Sequence, residues 1–175
     1  MNRFFGYGSL VNRQTHTYHT AEPMTVTGWR RAWRATPINP VAFLTGELHD
    51  GSTIDGLAAD VPGGAWDALD LRETGYLRAM LPEGPQIYHI PTDLHGTPKD
   101  VRPILLSYLD VVVQGFLREF GEDGVTRFFD TTVGWETPIR NDRAAPQYPR
   151  TQVLTKDETA LVDHHLRRVT RSKSA

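Results

Sequence analysis

Arg3-Phe4-Phe5-Gly6-Tyr7-Gly8-Ser9-Leu10 is the stretch on which the fold turns. Aromatic residues favour strands and glycine permits tight backbone geometry, so the segment predicts an opening strand that runs into a glycine-flanked turn and ends at Ser9. Further β-rich runs are expected at 24–33, 42–47, 53–61, 76–81 and 86–90, separated by the turn signals Asn39-Pro40, Asp50-Gly51 and Pro82-Glu83-Gly84. Pro62-Gly63-Gly64 precedes a short helix over 65–73, stopped by Gly75. The first half is therefore sheet-rich, with one short helix set into it.

The period changes after Pro103. Leu105, Leu106, Leu109, Val112, Val113 and Phe116 recur at spacings of three and four, which predicts an amphipathic helix ending near Gly121. A second short helix is expected over 125–129. Pro138, Pro146 and Pro149, with Asn141-Asp142 between them, interrupt any helix over 137–150 and predict an extended arm. Thr155-Lys156-Asp157-Glu158 matches a capping box and introduces a last helix over 155–168, with 172–175 as a frayed end. The pattern as a whole predicts one α+β domain over 1–175.

Composition narrows the function. Lys and Arg total 19 against 21 Asp and Glu, a balance that lacks the electrostatic footprint of a general nucleic-acid binder and points to small molecules as partners. Cysteine is absent, which excludes disulfides, thiolate metal sites and a cysteine nucleophile, and fits a reducing compartment such as cytoplasm. Neither a signal-peptide run nor the ~20 apolar residues of a membrane span is found, so a soluble protein is expected.

Glu73 is the first candidate for chemistry. Trp66, Leu69 and Glu73 lie at i, i+3 and i+7 on the short helix, so the carboxylate shares the apolar face, away from Asp67 and Asp70. Desolvation and the negative end of the helix both disfavour its charged form there, which is how a general base is tuned upward. An ion pair with Arg72 or Arg78, or a helix end turned out to solvent, accounts for the same position without catalysis. The second candidate is Tyr7-Gly8-Ser9-Leu10, whose glycine-flanked backbone lets N–H groups converge on an anion or a carbonyl oxygen. A tight turn with no ligand is the plain alternative. The segment is not a dinucleotide fingerprint, since the third glycine is missing, nor a nucleophile elbow, since Tyr7 and Val11 stand where glycine is required.

Two other classes have some support in the sequence. His16 with His19, and His164 with His165, suggest a metal-dependent hydrolase, but the first pair lies in polar sequence without an accompanying Glu and the second sits beside Arg167 and Arg168 on an expected surface helix. Trp29, Arg30, Arg31, Trp33 and Arg34 interleave aromatic and basic groups as a nucleic-acid-binding module does. In a strand, however, Trp29, Arg31 and Trp33 share one face and Arg30 and Arg34 the other, which reads as a half-buried strand with a snorkelling arginine.

Phe4-Phe5-Gly6-Tyr7-Gly8-Ser9-Leu10 resembles the opening strand and substrate loop of gamma-glutamylcyclotransferases, including the bacterial branch that acts on glutathione. Gly28-Trp29-Arg30-Arg31-Ala32-Trp33 looks like the second strand of that family, Ile54-Asp55-Gly56-Leu57 its central strand, and Leu69-Asp70-Leu71-Arg72-Glu73-Thr74-Gly75-Tyr76 its helix carrying the catalytic glutamate. Ser107-Tyr108-Leu109-Asp110-Val111-Val112-Val113-Gln114-Gly115 resembles the place where the family has a site tyrosine and a helix ending in glycine. The resemblance covers roughly the first 120 residues. It implies a mixed sheet curled into a small barrel with surrounding helices. It also implies conversion of a gamma-glutamyl amine, gamma-glutamyl amino acid or glutathione to 5-oxoproline and a free amine, with no cofactor. Glu73 would be the general acid/base, with Tyr7, Gly8, Ser9, Leu10 and Tyr108 holding the substrate. Residues 135–150 have no counterpart in the better-known members.

Overall fold

The computed structural model describes residues 2–82 and 84–171, so Glu83 of the expected turn and the expected frayed end at 172–175 lie outside the described residues. The opening strand, β1 (Arg3–Gly6), stops earlier than predicted. Leu10 folds back over Gly6, where a Cβ would stand 2.4 Å from that of Leu10, and residues Ser9–Val11 coil into a 3-10 turn in place of a strand end.

β2 (Glu22–Arg34) and β3 (Phe43–Asp60) form a long antiparallel hairpin. The separate strands expected at 42–47 and 53–61 are thus one strand. The turn chemistry at Asp50-Gly51 is real, with Gly51 at φ +79°, but residues 49–52 are accommodated as a bulge opposite Gly28, itself at φ +78°. Pairing with β2 resumes on both sides, from Trp29 with Leu48 to Thr27 with Thr53. β4 (Leu77–Met80) and β5 (Gln86–His89) make a second antiparallel hairpin, and β5 runs parallel to β1.

The short helix α1 (Asp67–Arg72) connects β3 to β4. β6 (Ile104–Leu105) leads into α2 (Leu106–Asp130), and β7 (Thr132–Val133) follows it alongside β2. β8 (Ile139–Arg140) pairs in parallel with β6, and α3 (Lys156–Arg171) closes the described chain. The main sheet is mixed and six-stranded, in the order β4-β5-β1-β3-β2-β7. The order runs from one edge strand to the other, so closure into a small barrel is not seen among the described strands.

α2 starts at Leu106 and not at Pro103, because Ile104 and Leu105 are taken up by pairing with the arm. Gly121, at φ 67°, breaks it where the sequence predicted an end, and a further helical stretch carries Val125, Phe128 and Phe129 into the core. Leu109, Val112, Val113 and Phe116 pack on Phe5, Val26, Ile54, Leu57 and Ile87 of the sheet, each about fully buried. Full burial of one such side chain stabilises by about 1.5–3 kcal/mol. The far side of α2 is covered too. Gln114 bonds Asn12 and Glu158, and Asp110 takes both Nε and Nη2 of Arg143 at 2.7 and 2.6 Å. The capping box forms as predicted: the Glu158 N–H donates to Thr155 Oγ1 at 3.1 Å, and the Thr155 N–H to Glu158 Oε2 at 2.7 Å. Its helix continues to Arg171, past the expected 168.

The aromatic-basic run on β2 divides as strand geometry requires. Trp29, Arg31 and Trp33 are buried, while Arg30 and Arg34 both pair with Glu47 across the hairpin. No snorkelling is involved at Arg31, which is 1% exposed. Its guanidinium donates to the Tyr7 carbonyl at 2.9 Å, the Thr131 hydroxyl at 3.1 Å and the Asp55 carbonyl, and lies against the rings of Phe116 and Phe128.

Candidate active site

The turn after β1 is docked from beneath. Asn12 donates to the Val111 carbonyl and the Gln114 side chain of α2, both at 3.0 Å, and Gly115 permits this crossing because a Cβ there would sit 2.6 Å from the Asn12 nitrogen. Within the turn, the Val11 N–H bonds Gly8 O and the Asn12 N–H bonds Ser9 O. The amides of Ser9 and Leu10, at its start, have no acceptor inside it, and that of Ser9 is taken by the Tyr108 hydroxyl. Gly8 is required by space: a Cβ would stand 2.7 Å from the Tyr108 hydroxyl and 3.4 Å from Leu44 Cδ2. The Tyr7 hydroxyl is occupied by backbone on two sides, donating to Tyr88 O at 2.5 Å and accepting the Gly46 N–H at 2.7 Å. What Tyr7 offers its surroundings is therefore its ring and main chain.

Glu73 is the cap residue at the end of α1. Its N–H donates to the Leu69 carbonyl at 2.9 Å, and Gly75, at φ +97°, turns the chain away toward β4. Leu69 is fully buried and fixes this face of the helix inward, so Glu73 follows it one turn later with its side chain 16% exposed. Burial raises the Glu73 carboxyl above the usual carboxylate range, against the opposing positive charges of Arg72 and Arg150. Of the two arginines that account for Glu73 without catalysis, Arg78 is engaged elsewhere, paired with Asp70 and stacked on Trp66. Arg72 does reach Glu73, at 3.3 Å, but its guanidinium is chiefly a clamp on the turn, donating to Thr15 O, Thr15 Oγ1 and Ser9 Oγ.

A cavity of about 380 Å³ opens between Ser9, the 39–44 segment, Glu73, Tyr76, Tyr108 and the end of the arm, Gln147-Tyr148-Pro149-Arg150. A recess of about 30 Å³ continues inward from it, and Tyr7, Gly8, Ser9, Leu10, Glu73 and Tyr108 all line that recess. The six residues singled out in the sequence are thus brought together. Tyr108 sits on the first turn of α2 with its ring edge-on to Trp33 and Tyr148. Burial pushes its phenol well above the ordinary range, as do the nearby Tyr148 and Glu73. It therefore stays neutral, able to donate one hydrogen bond.

Sequence reasoning missed Arg72, Tyr76, Tyr148 and Arg150. Tyr76 is, in the sequence, the start of a strand and the last residue of the Leu69–Tyr76 motif with no site role, yet its hydroxyl bonds the Leu44 carbonyl at 2.8 Å and its ring forms a cavity wall. The arm reaches the site because Asp142 accepts the Ser107 N–H, the Ser107 hydroxyl and the Gln147 N–H, at 2.8, 2.6 and 2.8 Å. Asn141-Asp142 was read as a helix breaker, and the acceptor capacity of Asp142 was the available signal. The histidine pairs do not assemble: His16 bonds the Leu10 carbonyl, His165 stacks on Phe129, and no group of three or more metal-ligating side chains converges among the described residues. No helix among the described residues is long and apolar enough to cross a membrane.

Neither a protein-family model nor a curated protein matches this sequence. Solved structures do match it in fold. A human protein, loc79017, described as uncharacterized, is similar over 92% of this chain and 97% of its own, at 11% identity and a TM-score of 0.53. A structure described as gamma-glutamyl cyclotransferase is similar over 93% of this chain and 98% of its own, at 11% identity and a TM-score of 0.52. YkqA from Bacillus subtilis is similar over 75% of this chain and only 55% of its own, at 16% identity and a TM-score of 0.54. At such identities the likeness speaks for architecture alone, and by architecture this chain has the fold of a gamma-glutamyl cyclotransferase.

Proposed function

We propose that the chain is a cyclotransferase converting a gamma-glutamyl amine, a gamma-glutamyl amino acid or glutathione to 5-oxoproline and a free amine, with Glu73 as general acid/base. The observation that carries this reading is the buried Glu73 carboxylate facing the same recess as the Ser9-Leu10 turn and Tyr108. A gamma-glutamyl amide contains its own nucleophile, and confinement in the cavity brings the α-nitrogen onto the side-chain carbonyl. Glu73 takes a proton from the α-ammonium, the nitrogen attacks the carbonyl carbon, and the C–N bond to the leaving amine breaks as the glutamic acid gives that proton to it. The second proton on the ring nitrogen then passes by way of Glu73 to the freed amine, which departs as an ammonium and leaves neutral lactam N–H. Atoms balance without water or redox chemistry. The Leu10 amide at the start of the turn is the donor left for the developing oxyanion or the substrate carboxylate, and such a donor contributes about 3 kcal/mol. Tyr108, whose hydroxyl lies beside Gly8 and takes the Ser9 N–H, donates its own proton to the substrate from the side of the turn. We read cytoplasm as the place of work, in keeping with the absence of cysteine.

The test is 5-oxoproline release from a panel of gamma-glutamyl compounds. Glu73→Gln keeps the shape and loses the proton shuttle, so turnover falls about 10²–10⁴-fold in a folded protein. A folded Glu73→Gln variant with near-normal turnover refutes the role. A gamma-glutamyl amide acetylated on its α-nitrogen should compete for the site yet release nothing. Release of N-acetylglutamate from it would mean hydrolysis in place of cyclisation.

A further inference from the structure

The ionisable groups on the cavity wall other than its tyrosines are Arg72, Glu73 and Arg150. Arg72 is spent on Thr15 and Ser9, as described above. Arg150 is different: its side chain makes no hydrogen bond or ion pair among the described residues, although its backbone is fixed. The Arg150 carbonyl accepts from Gln152 at 3.2 Å, the Thr151 N–H bonds Tyr148 O at 3.2 Å, Tyr148 packs edge-on against Tyr108, and Asp142 holds the Gln147 N–H. A guanidinium is thereby presented to a cavity from an ordered wall with its donors free. Ordinary surface arginines lose affinity for an anion to the entropy of immobilisation, and a fixed backbone reduces that cost.

Position decides which anion it meets. Ser9, Leu44, Glu73, Tyr76 and Tyr108 line both the outer cavity and the inner recess, so chemistry at Glu73 happens at their junction. The recess has room for about one small polar group and is lined by Gly8, Ser9, Leu10 and Tyr108, so on the cyclotransferase reading the gamma-glutamyl end is the part that meets it. Arg150 lines only the outer cavity. Building on the cyclotransferase reading, we infer that Arg150 pairs with a carboxylate on the leaving amine. The substrates are then gamma-glutamyl amino acids or peptides in preference to gamma-glutamyl amines and polyamines. A leaving group bearing an ammonium would meet Arg150 as a like charge. The guanidinium also lies within electrostatic reach of Glu73, whose carboxyl its positive charge lowers against the effect of burial, and so close to the proposed reaction centre.

The experiment compares kcat/KM for gamma-glutamyl-alanine and gamma-glutamyl-alaninamide, which differ only in the carboxylate of the leaving group, by 5-oxoproline release from the full chain. The wild type should prefer the acid by about tenfold or more, the scale of a charged hydrogen-bonded pair. Arg150→Gln should narrow that preference to within about twofold, Arg150→Lys should restore part of it, and Arg167→Gln, on α3, should leave it as it is. Thermal melts check that each variant folds. A wild-type ratio near one, or a ratio unmoved in Arg150→Gln, overturns the inference while leaving the cyclotransferase reading intact. Equal losses on acid and amide also overturn it, because Arg150 would then serve the gamma-glutamyl portion. If no gamma-glutamyl compound releases 5-oxoproline, the proposed activity fails and the inference falls with it.

Discussion

Replacing Asp142 with alanine should both loosen the protein and blunt its site. The carboxylate is 6% exposed and accepts three hydrogen bonds, two from Ser107 near the N-terminus of α2 and one from the Gln147 amide of the arm. The Ser107 N–H belongs to the first turn of α2, where donors have no intrahelical partner. Capping losses run to about 0.5–2 kcal/mol, and a hydrogen bond to a charged group is worth about 1.5–3 kcal/mol. The bonds share one carboxylate and do not add fully, so we expect a total near 3 kcal/mol. For a chain of this length each kcal/mol moves Tm by roughly 2–4 °C, which gives a drop of about 6–12 °C. Burial alone would raise the Asp142 pKa, but its bonds from Ser107 and Gln147 outweigh that and hold it below the ordinary value. A depressed folded pKa contributes stability above the unfolded pKa, about 3.9, and that stability is lost as pH falls through the folded value. The gap between wild type and variant should therefore be full at pH 7 and narrow below about pH 4. Thermal unfolding at both pH values is the assay, with KM for a gamma-glutamyl substrate rising as the 147–150 wall loosens. A Tm change under about 2 °C at pH 7, or a gap that stays constant into acid, refutes the reasoning.

Three further outcomes are expected. Gly8→Ala forces a Cβ against the Tyr108 hydroxyl, and overpacking of this kind costs about 1–3 kcal/mol. Adding Tyr108→Phe removes the nearest clashing atom and should recover half or more of the loss in denaturant titrations. Tyr108→Phe alone should reduce kcat/KM by the roughly 0.5–1.5 kcal/mol of one hydrogen bond with little change in Tm, and unchanged kinetics would remove Tyr108 from the site. Because burial raises the Glu73 pKa, its charged form is the costly one in the fold. kcat/KM should rise with pH as Glu73 ionises, and Glu73→Gln should gain stability over wild type at neutral pH but not in acid, where both side chains are uncharged. A variant that gains equally at both pH values would contradict the sign.

Much of this architecture was legible wherever one local rule governed one element. The strand-then-glycine opening, the stop at Gly75, the capping box at Thr155 and the break at Gly121 depend on neighbours within a few residues, and each is found close to its expected place. The two-strand reading of β3 failed for a different reason. Asp50-Gly51 announces a reversal, but only the register against the partner strand tells a bulge from a hairpin, and the partner position, Gly28 of β2, lies beyond the few residues a local rule reads. β6 and β8 are two residues each, too short for any periodicity to show. The candidate site divides along the same line. Glu73 and the 7–10 turn announced themselves by face and by glycine, whereas Arg150 and Tyr148 reach the cavity through the grip of Asp142 on Ser107, 35 residues away in sequence.

The buried Arg31 has a bearing on how the chain assembles. Its three acceptors come from separate places: the carbonyl of Tyr7 after β1, the carbonyl of Asp55 in β3 and the hydroxyl of Thr131 after α2. A guanidinium withdrawn from water before all three are present is an uncompensated charge in an apolar setting, at a penalty of several kcal/mol. A half-built sheet, or a sheet without its helix, is therefore disfavoured at this one point, and the β2-β3 hairpin buries its inner face at a penalty until the turn after β1 and the end of α2 are in place. Arg31 thus couples residues near 7, 55 and 131 into a single cooperative unit, making folding here closer to an all-or-none event than the local contacts of the hairpin alone would enforce.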